Sequence, residues 1–97
     1  MSDRETLEAR WFALTREEMP RVASEREWPV HLDHCFQRIL LDNACAQPWR
    51  KVIEAPAYRH ASDDLLRRAI VLGEAALAGE RDLAEMNRHS LALRGKL

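Results

Sequence analysis

Apolar residues recur along this chain at intervals of three and four, the period of helices that bury one side. In residues 4–18 (RETLEARWFALTREE), Leu7, Trp11 and Leu14 form one stripe, and Phe12 widens it. Pro20 has no amide proton and restricts Met19, so it ends or kinks this helix, and residues 20–26 suit a further short one. Trp28-Pro29 opens the next element. Two starts fit: Pro29 as the first helical residue, or Asp33 as an N-cap with the helix beginning at His34. Leu32, Phe36, Ile39, Leu40 and Asn43 then keep helical spacing up to about Ala46, and Pro48 stops it.

Ser62-Asp63-Asp64 is the clearest helix start in the chain: a serine to cap free amides, and two acids at the positive end of the dipole. Leu65, Leu66, Ala69, Ile70, Gly73, Ala76 and Leu77 make a broad apolar face that runs to residue 78. Ala69 and Gly73 are small and one turn apart, so another helix could approach closely there; the alternative is that Gly73 is simply tolerated, at about 1 kcal/mol relative to alanine. Gly79 ends this helix, and residues 81–94 form the last one, with Leu83, Met86, Ser90 and Leu93 on a stripe and Gly95 behind it. The pattern predicts an all-α fold. It is a compact bundle of about four helices (approximately 4–18, 30–46, 62–78 and 81–94) in a single domain spanning 1–97. Residues 48–61 (PWRKVIEAPAYRHA) hold two prolines among Trp49, Ile53 and Tyr58, too apolar a set to leave in water. They predict an ordered loop, extended over APAYRHA, with PWRKVI able to form one helical turn.

Composition agrees with helices. Glycine and proline number three and four, and 46% of the 97 residues are apolar against 32% charged, a globular balance. The net charge is −1, and no segment carries the positive excess needed for non-specific phosphate-backbone binding: residues 28–61 hold four bases and three acids, residues 62–97 six of each. Thirteen of the fifteen bases are arginine. No apolar run approaches the ~20 residues that span a bilayer, and no apolar leader opens the chain, so no membrane association and a cytoplasmic location with reduced Cys35 and Cys45 are expected.

Candidate chemistry concentrates in HLDHCFQRILLDN, residues 31–43. His31, His34 and Cys35 at i, i+3 and i+4 are zinc-compatible types. No paired CxxC, HExxH or ExxH motif supplies further ligands, so no metal is expected and Cys35 reads as a small buried hydrophobe. His34 is a poor activator for the adjacent Cys35, since neighbours on a helix point about 100° apart. His31 is better placed, and a thiol near a helix N-terminus has a lowered pKa if the helix starts there. His34, Arg38 and Asp42 at i, i+4 and i+8 line one face. On an exposed surface Arg38 and Asp42 form a weak helical ion pair; in a pocket Arg38 is an anion clamp with Asn43 close by. Trp49, Arg50 and Lys51 join an aromatic to two bases, and with Arg59 they carry the nucleic-acid alternative, which the neutral chain does not favour. There is no phosphate-cradling glycine loop, so no cofactor is expected.

The WPxxxDHCFxRIxLDN block, standing here as WPVHLDHCFQRILLDN, continues through ACAQPW to PAY and then NRHSLALRGK. Over residues 28–96 it resembles a group of short uncharacterised microbial proteins, some loosely labelled GCN5-like acetyltransferase. That label implies a mixed sheet and a loop resembling [RQ]xxGx[GA]; the sequence offers neither, so acetyl transfer is not expected. The expected function is a small binding or interaction protein, a homodimer or the partner of a larger protein, anchored by its three tryptophans. The alternative is a small-ligand or catalytic site, with a small anionic ligand possible, at His31, His34, Cys35, Arg38, Asp42 and Asn43, walled by Trp49 or Tyr58.

Overall fold

The computed structural model describes residues 3–97, and it is helical throughout with no strand among them. The N-terminal helix does not stop before Pro20. It runs as α1 (Asp3–Phe12), widens into a π-helical segment (Ala13–Glu18) and returns to α-helix as α2 (Met19–Ala23). The proline explains the path. The amide of Met19 reaches back five residues to the carbonyl of Leu14, so the hydrogen-bond ladder has already changed register. Pro20 then falls in the first positions of a new helical stretch, where its missing amide costs little.

Helix α3 (Asp33–Cys45) is shorter than the spacing predicts. Neither expected start holds: Leu32 is the N-cap and is 47% exposed, not buried. Asp33 is the first helical residue, and its carboxylate accepts the His34 amide at 2.8 Å. The chain leaves α3 through Ala46 in the left-handed region (φ 59°).

The connector contains more helix than the sequence suggests. A 3-10 turn spans Trp49–Lys51, and a single helical turn, α4 (Ala57–His60), replaces the extended run expected over APAYRHA. α5 (Asp63–Leu77) is capped as predicted, Ser62 Oγ accepting the Leu65 amide at 3.1 Å. α6 (Leu83–Leu93) begins two residues late because Asp82 acts as its N-cap, accepting the amides of Ala84 and Glu85. Gly79 and Gly95 lie at φ 79° and 72°. Each closes a Schellman turn: Glu80 N–H donates to Ala75 O at 2.9 Å, and Lys96 N–H to Leu91 O at 2.8 Å. Arg26 covers two carbonyls at the negative end of α5, Ala76 O at 2.8 Å and Leu77 O at 2.6 Å.

The core joins Trp11, Leu14 and Met19 with Phe36, Ile39, Leu40 and Leu41 of α3, Leu65, Leu66, Ala69 and Ile70 of α5, and Leu83 and Met86 of α6. α3 sits centrally and packs against both α5 and α6. The small pair on α5 does what its spacing predicts. A Cβ added at Gly73 would lie 2.6 Å from Leu14 Cδ2 and 2.9 Å from Leu40 Cδ1, both fully buried side chains, so the helices meet there only because no side chain intervenes. The radius of gyration, 12.6 Å, matches the ~12.5 Å expected of one compact body of this length. No described helix is long and apolar enough to cross a membrane.

Candidate functional site

α3 presents its polar residues in two directions. Asp42 is 0% exposed, deep between α3, α6 and the connector, and each of its oxygens accepts two hydrogen bonds. Oδ1 takes the Trp49 amide at 2.9 Å and Arg94 Nη2 at 3.0 Å. Oδ2 takes Arg94 Nε at 2.6 Å and the Ser90 hydroxyl at 2.7 Å. The guanidinium grips the carboxylate through two parallel bonds, and this pairing lifts the Arg94 pKa further above its ordinary value. The i+4 pair expected from sequence is therefore absent: Arg38 does not touch Asp42 directly. Its Nη1 donates to Ser90 Oγ at 2.7 Å and its Nη2 to Asn87 Oδ1 at 2.8 Å. Ser90 stands between the two charges, accepting from Arg38 and donating to Asp42, the only polarity that a guanidinium on one side and a carboxylate on the other allow. Among the described residues no buried side-chain nitrogen or oxygen lacks a partner.

In front of this network lies a cleft of about 550 Å³. α1 and the π-helical segment supply Trp11, Phe12 and Arg16; α3 supplies His34, Gln37, Arg38 and Leu41. The connector adds Trp49, Arg50, Ala55, Pro56, Ala57 and Tyr58, and Arg94 closes it from the end of α6. The helical register accounts for α3's share, because residues 34, 37, 38 and 41 fall at i, i+3, i+4 and i+7. The π-helical turn is where Thr15 is drawn inward, its hydroxyl donating to Trp11 O and accepting from Gln37 Nε2, while Arg16 lies over the Phe12 ring at 3.9 Å. Phe12 meets Tyr58 edge to face at 4.9 Å, and Arg50 sits 5.2 Å from the Trp49 ring.

The charge of this lining is one-sided. Four arginines and His34 face the cleft, and among the described residues no carboxylate lines it. Asp42 answers Arg94 from behind. Arg16 has only the Asp33 carboxylate, 3.8 Å away, with both side chains about half exposed. Arg38 and Arg50 have no carboxylate within 4.0 Å among the described residues.

Of the residues expected to form a site, His34, Arg38, Trp49 and Tyr58 do meet, with Asp42 as their buried support. The other three do not. His31 is exposed and precedes the helix, so it shares no helical face with Cys35, and neither lines the cleft. Asn43 points elsewhere: its Nδ2 donates to Ile39 O and Met86 O at 2.8 and 3.0 Å, and its Oδ1 meets His89 Nδ1 at 2.9 Å. It borders a shallower groove with Ala44, Arg67, Arg68, Val71 and Leu72. Of the alternative nucleic-acid set Arg50, Lys51 and Arg59, only Arg50 faces the cleft. Both cysteines are free, and burial, then the charge of Asp42, pushes the Cys45 thiol up, away from the reactive thiolate. No group of three or more potential metal ligands converges among the described residues.

The three tryptophans differ in burial. Trp11 is 1% exposed, and Trp28 and Trp49 pack against the core. Sequence reasoning missed Asn87, Ser90 and Arg94, although their i, i+3, i+7 spacing marks one face of α6 and was there to be read. Neither a family model, a curated protein nor a solved structure matches the chain.

Proposed function

We propose that this protein binds a small organic anion with an apolar body in the cleft between α1, α3 and the connector. One observation carries the reading. Arg38 is half-buried and held by the neutral acceptors Ser90 and Asn87, and among the described residues no acid stands opposite it and no carboxylate lines the cleft it faces. A guanidinium fixed in this way has donors to spare and a charge that only an incoming anion would balance. The volume falls within the usual range for small-molecule sites, about 300–1,000 Å³. Aromatic walls from Phe12, Trp49 and Tyr58 suit a flat apolar body. The lining offers donors and ring faces, and among the described residues it holds no thiol or carboxylate that could serve as a nucleophile.

Calorimetric titration of the full chain with benzoate and its neutral analogue benzamide tests this. Benzoate is expected to bind saturably and at least about tenfold more tightly, the low end for a hydrogen bond to a charged group. Should neither benzoate nor any other aromatic anion bind more tightly than benzamide, the reading is wrong.

A further inference from the structure

Resting on the reading that the cleft holds an anion, we infer that the anionic group is a phosphate monoester rather than a carboxylate. Two independent features of the wall lead there. The first is the charge left to balance. Asp42 neutralises Arg94, whereas Arg38 and Arg50 have no acid of their own among the described residues, and Arg16 has only a distant exposed one. A monocarboxylate would leave at least one of these cations unmatched. A phosphate monoester carries about −1.5 to −2 at pH 7.

The second feature is where the donors stand. Arg38 and Arg94 are tied to one hydrogen-bonded chain, from Arg38 Nη1 through Ser90 Oγ and Asp42 Oδ2 to Arg94 Nε, in steps of 2.7, 2.7 and 2.6 Å. Both guanidiniums line the cleft and hang on this one chain, with Ser90 and Asp42 between them. Arg38 Nε and Arg94 Nη1 take no part in that chain or in any other hydrogen bond among the described residues. Two guanidiniums lining one cleft, each with an unused N–H group, suit one tetrahedral group bearing three terminal oxygens, which can take donors from more than one side. Arg50, on the rim over Trp49, adds the charge that a second negative oxygen answers. The ester's organic body then lies on the Trp49 and Tyr58 side of the cleft, where the walls are aromatic.

Calorimetry on the full chain with phenyl phosphate, benzoate, phthalate, inorganic phosphate and neutral benzamide separates the possibilities. Phenyl phosphate is expected to bind about tenfold or more tightly than benzoate, phthalate or inorganic phosphate. Arg38→Met should erase most of that preference. Arg50→Met, at an exposed residue outside the Asp42 network, should reduce it without lowering the melting temperature, which guards against a misfolded Arg38 variant. If benzoate or phthalate equals phenyl phosphate while still outbinding benzamide, the phosphate assignment is wrong and the anion cleft stands. Inorganic phosphate binding as tightly as the ester would overturn the role given to the aromatic wall. Should no anion outbind benzamide, both readings fall together.

Discussion

Replacing Asp42 with alanine is expected to destabilise the fold by about 3–5 kcal/mol, the cost of removing one partner from a buried, hydrogen-bonded ion pair. The residue is fully buried, and four donors from three residues converge on it: Trp49 N–H of the connector, Ser90 Oγ and the two Arg94 nitrogens. Without the carboxylate, the Arg94 guanidinium loses the acid it pairs with, and the first amide of the 3-10 turn loses its acceptor. Since small domains hold only about 5–15 kcal/mol in total, this loss approaches global unfolding. Arg94→Ala should cost less, because Asp42 keeps the Ser90 hydroxyl and the Trp49 amide. The double variant should be more stable than the two single losses would imply, since it removes the uncompensated charge together with its partner. Urea unfolding of the three variants reads this out. A change of under about 1 kcal/mol for Asp42→Ala would mean that the network does not hold the connector.

The second large effect falls on binding. Arg38→Met should weaken benzoate binding by about 10- to 100-fold, the worth of a charge-assisted hydrogen bond lost from a partly desolvated site. Methionine keeps most of the apolar stem, so the change isolates the guanidinium. Ser90 can still donate to Asp42, while Asn87 Oδ1 loses its donor, so a smaller stability loss of about 1–2 kcal/mol accompanies it. Arg38→Lys should fall between the two, keeping the charge and losing the fork. Unchanged benzoate affinity in the methionine variant would remove Arg38 from the site.

Much of the fold is legible in the sequence because helices advertise themselves through period and caps. Ser62 with its two aspartates, the glycines at 79 and 95, and the Ala69–Gly73 pair each do in the structure what their chemistry predicts. Pro20 misleads because a proline normally closes a ladder, and nothing in the local sequence announces the register change that accommodates it. The start of α3 misleads for a related reason: Asp33 caps from inside the helix, leaving Leu32 at the cap and in solvent. APAYRHA reads as extended because it follows one proline and contains another, yet four of its residues fold into a turn.

The candidate site is half legible. His34 and Arg38 line the cleft while Asp42 lies buried behind it, and helical spacing describes one helix only. It suggests a pair between Arg38 and Asp42, whereas each residue finds a better partner on α6. Those partners, at i, i+3 and i+7 in NRHSLALR, stand at positions where Ser90 passes for a small member of an apolar stripe. The pairing of two polar faces from α3 and α6 is a tertiary fact, and so is the absence of acids from the cleft wall. Cys35 and His31 looked chemical through proximity in sequence; the late helix start separates them.

The most direct test of the anion cleft is a nuclear magnetic resonance titration of the isotope-labelled chain with benzoate, following the Arg38 Nε–H and Trp49 indole N–H signals. Both are expected to shift together and saturate with one midpoint, alongside the backbone amides of His34, Arg50 and Tyr58 that surround the same cleft. Shifts that gather instead around Arg67, Arg68 and Val71 in the other groove, or that grow without saturating over the whole surface, would contradict it.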